Sequence, residues 1–253
     1  MKTSRALGLS ALWVLLALIF NAGIYLLYGH TKALEFLTSY TVELSLSIDN
    51  IFVFLMIFTF FKVEAREQTK ILFWGVLGAQ LMRLVFIILG VALLKKYHWV
   101  GTVMGIFLII TGIKIFIDKN KKQNLQDNPL IVFITKVMPG LSRFWLVLIV
   151  IEVTDLIFAL DSIPAVLSIT QDPFIAFSSN LFAILGLRAM YFALAGVMGM
   201  FHYLHYGLGF ILVFVGFKMA AAHFIQIPIV LTLAVIGTSL CISVAFSLLK
   251  TKT

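Results

Sequence analysis

Apolar residues run along this chain in blocks of about twenty, the length a helix needs to cross a hydrocarbon layer of about 30 Å. Short polar stretches separate the blocks, and the pattern predicts spans at 9–28, 34–61, 71–94, 99–117, 144–169, 174–198, 204–222 and 227–249. The runs are continuous rather than alternating, and too long for barrel strands, so the predicted class is an all-α polytopic membrane protein with about eight transmembrane helices. One connection is long. From Asp118 to Arg143 it holds Lys119, Lys121, Lys122 and Lys136, with Asn128-Pro129 and Pro139-Gly140 as breakers, and reads as a polar linker with a short interfacial segment. The first block follows Lys2 and Arg5 as a signal peptide would, but it exceeds a usual signal core and no small-x-small cleavage site follows. It is read as a retained first helix.

Composition supports this division. Of 253 residues 62% are hydrophobic and 12% charged, against about 25% charged in soluble domains. The net charge of +8 does not point to nucleic acid, because the basic residues sit mostly in loops between apolar runs. Lys2, Arg5, Lys62, Arg66, Lys70, Lys119, Lys121, Lys122, Lys136, Arg143, Lys250 and Lys252 fall on one side, and only Lys32, Lys95 and Lys96 on the other. The positive-inside rule then predicts an inner-membrane protein with both termini in the cytoplasm. Cys241 is the only cysteine, which rules out an intrachain disulfide or a cysteine-based zinc site.

Two stretches break the apolar pattern from within: Val42-Glu-Leu-Ser-Leu-Ser-Ile-Asp-Asn-Ile51 and Ile151-Glu-Val-Thr-Asp-Leu-Ile-Phe-Ala-Leu-Asp-Ser-Ile-Pro164. A carboxylate at bilayer depth costs at least about 2.5–3.5 kcal/mol on insertion scales and by default marks an ion or substrate path. Glu43, Asp49, Glu152, Asp155 and Asp161 are such residues, and Arg83 and Arg188 are the intramembrane arginines that can balance them. Fully ionised, five acids against two arginines leave three negative charges, an untenable burial. A divalent cation and one proton would remove the excess. The donor atoms are carboxylate, amide, hydroxyl and backbone oxygens, from Asn50, Ser47 and Ser162 besides the acids, with no His or Cys nearby; such sites suit Mn²⁺, Mg²⁺ or Ca²⁺. A structural ion-pair network and a metal-free proton relay remain alternatives at this point.

Residues six apart on a helix differ by about 240°. Glu43 and Asp49, or Asp155 and Asp161, therefore share a site only if their helices are broken. Breaks are expected near Ser47–Asn50, where hydroxyl and amide side chains compete for the backbone, and near Asp161–Pro164, where proline frees the Leu160 carbonyl.

The chain also repeats itself. Gly105-Ile-Phe-Leu-Ile-Ile-Thr-Gly-Ile-Lys114 matches Gly209-Phe-Ile-Leu-Val-Phe-Val-Gly-Phe-Lys218, Arg83 answers Arg188, and Glu43 with Asp49 answers Asp155 with Asp161, at offsets of 104, 105 and 112 residues. Units of three helices, about 34–118 and 144–222, must cross the membrane in opposite senses. That predicts two inverted repeats with peripheral first and last helices, within one transmembrane domain over 1–253. The four glycines are read as permitting close helix packing.

The strings Val42–Phe54, Asp161-Ser-Ile-Pro-Ala165 and Ser179-Asn-Leu-Phe-Ala-Ile-Leu-Gly-Leu-Arg-Ala-Met-Tyr191 resemble the TerC family of integral membrane proteins over nearly the whole chain. The family takes its name from tellurium resistance; members are linked to manganese export, and the fold is placed with LysE-type exporters. The resemblance implies that Glu43, Asp49, Asn50, Asp155 and Asp161 carry a metal site; Ser47, Glu152 and Ser162 are candidate secondary ligands from the residue pattern itself.

The expected function is a secondary transporter exporting Mn²⁺ or a similar divalent cation by alternating access, with proton coupling through the same carboxylates. Asp49 and Asp161 would be its central pair. The metal is cargo, and no permanently bound cofactor is expected. No Gly-rich nucleotide loop, nucleophile–base pair or His-rich cluster is present, so an enzyme is not expected. The rival is a membrane scaffold, assembly or stress protein whose acids are structural.

Overall fold

The computed structural model of the chain describes residues 3–117, 136, 140–194, 203–222 and 224–250. Most of the polar linker lies outside the described residues, as do the side chains of Asp49 and Arg188. Among the described residues there are eight helices: α1 Thr3–Tyr28, α2 His30–Phe60, α3 Ala65–Lys96, α4 His98–Ile117, α5 Arg143–Leu167, α6 Pro173–Leu194, α7 Leu204–Ala220 and α8 Ile229–Lys250. The chain is a polytopic all-helical membrane protein.

Six of these helices (all except α5 and α7) are long and apolar enough to cross a membrane by themselves. The two exceptions have plain causes. α7 has only 17 residues, and α5 carries Glu152, Asp155 and Asp161 in its middle. Each leans on neighbours: α7 has its largest interface with α4, and α5 with α3.

Local chemistry sets the helix ends. Gly29 separates α1 from α2 at φ 87°, a left-handed conformation that favours glycine. Asp172 caps α6, its Oδ1 accepting from the Phe174 amide at 3.0 Å and the Ile175 amide at 3.4 Å, with Pro173 at the first helical position. Hydroxyls inside the helices bond their own backbone one turn back: Thr38 to Leu34, Thr41 to Leu37, Ser45 to Thr41 and Thr154 to Val150. These bonds let apolar spans carry polar side chains without unwinding.

The two expected helix breaks are not there. α2 is one helix from His30 to Phe60, and α5 runs on through Pro164 to Leu167. In α2 the competition for the backbone does not arise: Ser45 bonds to the Thr41 carbonyl one turn back, and the Ser47 hydroxyl takes no backbone partner at all. In α5 the proline enters only three residues before the helix ends, so its missing donor removes one bond near the terminus.

α4 and α7 cross backbone to backbone. A β-carbon on Gly105 would lie 2.6 Å from the Gly216 carbonyl oxygen, and one on Gly112 would lie 2.6 Å from the Gly209 carbonyl oxygen. Elsewhere α2 packs on α6, α1 on α6 and α2, and α8 on α7 and α2. Toward the α2 C-terminus, Ile51, Phe54, Phe58, Leu72, Ile151 and Leu187 form an apolar cluster shared by α2, α3, α5 and α6. Toward the other face of the membrane, Val91, Ile163, Val166 and Met219 close a second cluster.

Candidate functional site

Between those two clusters lies Arg83 of α3, only 1% exposed. A guanidinium so deep is tolerated only with its charge and its fork of donors answered. It is held from two sides. Nε and Nη2 donate to the two carboxylate oxygens of Asp155 on α5, both at 3.3 Å, in the two-point geometry that suits guanidinium and carboxylate. Nη1 donates to Glu43 Oε1 on α2 and, at 3.3 Å, to the Ser162 hydroxyl. Glu43 is 0% exposed. One arginine thus ties three helices drawn from both halves of the chain.

The acids are not all answered. Glu43 Oε2 is buried without a hydrogen-bond partner, and so is Glu152 Oε2. Glu152 lies one turn before Asp155 and fits because α3 has no side chain at Gly78, where a β-carbon would come within 2.2 Å of its Oε1. Three carboxylates against one guanidinium leave two negative charges when all are ionised. A cavity of about 10 Å³ touches Asp155 on the Phe54–Leu72–Leu187 side, room for about one water.

The structure brings together Glu43, Arg83, Asp155 and Ser162, with Glu152 beside them. Ser47 lies one turn from Glu43, buried, with its hydroxyl unpartnered, and Asn50 is buried two turns away. Asp161 is elsewhere. With α5 continuous, the six-residue spacing turns it away from Asp155, and its carboxylate faces Thr111 and Lys114 of α4. The pairing of Asp155 with Asp161 at one point, which a broken α5 would have allowed, is corrected by that geometry. Among the described residues no three His, Cys, Asp or Glu side chains converge as a metal-holding group. In the state seen here Arg83 itself fills the space between Glu43 and Asp155.

Two residues that charge patterning did not flag are Gln80 and Asn180, 7% and 0% exposed. Neither amide has a hydrogen-bond partner at either atom. A neutral amide raises no charge alarm; the only available signal was a polar residue inside an apolar span.

The fold and this charged centre define a multi-pass helical membrane protein built around intramembrane acids. The family described as "Integral membrane protein TerC family" matches residues 28–253. Among similar proteins is "Uncharacterized membrane protein STKORF319" of Myxococcus xanthus, 44% identical over 269 residues, 99% of this chain and 84% of that one. Another is "Putative membrane-bound redox modulator Alx" of Escherichia coli strain K12, 42% identical over 264 residues, 93% of this chain and 82% of that one. An "Uncharacterized membrane protein" of Rickettsia bellii is 35% identical over 268 residues, covering 99% and 89%. No solved structure matches the chain at a significant level. The chain belongs to the TerC family.

Proposed function

We propose that this protein is a secondary transporter that exports Mn²⁺, or a similar hard divalent cation, across the inner membrane by alternating access, with both termini in the cytoplasm. The observation that carries the reading is the pair of buried, unpartnered carboxylate oxygens, Glu43 Oε2 and Glu152 Oε2, beside an arginine already engaged. A purely structural ion pair would leave no acid oxygen empty at this depth, because an unmet charge there is strongly destabilising. Two uncompensated negative charges match one divalent cation, and oxygen donors match a hard one.

In this reading Glu43 and Asp155 are the central acids, contributed by the two halves. Arg83 holds them together while the site is empty and yields part of their charge when the cation enters. Asp161, on another face of α5, is a station along the path rather than a central ligand. Ser47 and Asn50, one and two turns from Glu43 on α2, line the same route. Metal ligation by carboxylates displaces protons, so proton exchange is the natural driving force. The apolar clusters on either side of Arg83 exclude water and must open in turn. The exchange of glycine pairs across the α4–α7 crossing, Gly105 on Gly216 and Gly112 on Gly209, supports a two-fold relation between inverted repeats about which the halves can rock. The relatives' name speaks of redox modulation. A dithiol mechanism within one chain is not open to this protein, since Cys241 is its only cysteine.

Manganese uptake into inside-out vesicles tests the proposal, comparing the native chain with Glu43→Gln and Asp155→Asn at matched membrane levels. Native vesicles should accumulate manganese and both variants should fail. Equal uptake in native, variant and empty vesicles would refute export and leave the acids structural.

A further inference from the structure

Resting on the exporter reading, we infer that Gln80 and Asn180 are ligands of the transported cation, supplying amide oxygens that replace part of its water shell. α6 packs on both α2 and α3, yet the bonds of Arg83 reach only groups on α2 and α5. The unpartnered buried atoms complete the picture: Glu43 Oε2 and the Ser47 hydroxyl on α2, both amide atoms of Gln80 on α3, and both amide atoms of Asn180 on α6.

Helix register brings these atoms to one level of the membrane. α3 and α6 run antiparallel, fixed by the Tyr191 hydroxyl donating to Gln68 Oε1 at 2.9 Å. Counting one turn after another from that bond places Gln80 opposite Ser179–Asn180, as the shared crevice of Val76, Leu77 and Gln80 with Leu181 and Leu185 also requires. α2 and α6 run parallel, with Lys32 Nζ 3.3 Å from Asp172 Oδ2 where the pair begins and Phe58 against Tyr191 at 5.7 Å toward its far end. Counted from either contact, Asn180 falls beside the stretch from Tyr40 to Ser47, and hence beside Glu43.

Leaving an amide buried and unpaired costs about 1–3 kcal/mol per group, and native proteins hold few such groups without a function or a bound partner. Here two amides, a hydroxyl and a carboxylate oxygen go unmet at neighbouring levels of α2, α3 and α6. Three are neutral oxygens and one is anionic, a donor set fit for Mn²⁺ or Ca²⁺. Mg²⁺ dehydrates more reluctantly and is served less well by a site without water. The amide oxygens therefore set affinity and selectivity, while the acids set the charge.

The test uses the full chain in lipid nanodiscs with manganese alone as the probe. The shift of melting temperature with manganese concentration is followed alongside vesicle uptake for the native protein, Gln80→Leu and Asn180→Leu. Without metal the leucine variants should melt at or above the native temperature, since an unmet polar group has been removed. Their half-maximal manganese concentration should rise at least about tenfold, with the preference for manganese over magnesium reduced. Gln80→Ala and Asn180→Ala give the same readout should leucine prevent folding. Native protein that binds and transports manganese, with variants whose midpoint and selectivity are unchanged, would overturn the inference and assign the amides to bound water. Native protein that neither binds nor transports manganese would instead overturn the exporter reading itself.

Discussion

The α4–α7 crossing and the seam around Arg83 solve opposite problems with the same kind of helix. At the crossing, four glycines let two backbones touch, and no side-chain chemistry intervenes. Around Arg83 the space between helices is filled by long polar side chains, and several of their atoms have nothing to bond. Tight packing without chemistry makes a pivot; chemistry with incomplete packing makes a site. In a membrane the contrast is sharper than in water, because lipid cannot satisfy a polar group left unpaired.

Removing the arginine should break the seam most severely. Arg83→Met strands Glu43 and Asp155 as buried charges and should destabilise the protein by about 3–5 kcal/mol, read from denaturant unfolding of the purified chain. Adding Glu43→Gln and Asp155→Asn to that variant should restore most of the stability and none of the manganese uptake. Recovery of uptake would show that the seam is scaffolding.

The crossing should respond to size alone. Gly112→Val, whose β-carbon would meet the Gly209 carbonyl at 2.6 Å, should cost about 1–3 kcal/mol by forcing the helices apart. Gly237→Ala, with nothing within 4 Å, should leave unfolding unchanged. A smaller effect is expected at Asp161. Asp161→Asn should reduce uptake less than Glu43→Gln does, since Asp161 faces Thr111 and Lys114 rather than Arg83; the reverse ranking would move the centre of the path to α4. Least affected should be the exposed pair of Arg143 with Glu67 at 3.1 Å. Glu67→Gln should change stability by about 0–1 kcal/mol and leave uptake alone.

Much of this was legible from residue types. Apolar block lengths gave the eight helices, and intramembrane charge drew attention to Glu43, Arg83 and Asp155. What escaped was helix continuity. Asp161 was expected beside Asp155 because a break near Pro164 would bring the two together, but a continuous α5 sends them to different neighbours. Pro164 looked like a break, yet its place three residues from the helix end made it harmless. Gln80 and Asn180 escaped because uncharged amides are common, and only burial without a partner makes them conspicuous.

By itself, the sequence determined that the chain must be helical and embedded in a membrane, since apolar blocks of that length cannot remain in water and their backbones must bond internally. It also determined that some of the acids must face protein rather than lipid. Only the tertiary structure decided which acid meets which arginine. That choice rests on helix continuity, on Gly78 making room for Glu152, and on the register of α2, α3, α5 and α6. All three are set by packing between segments far apart in the chain.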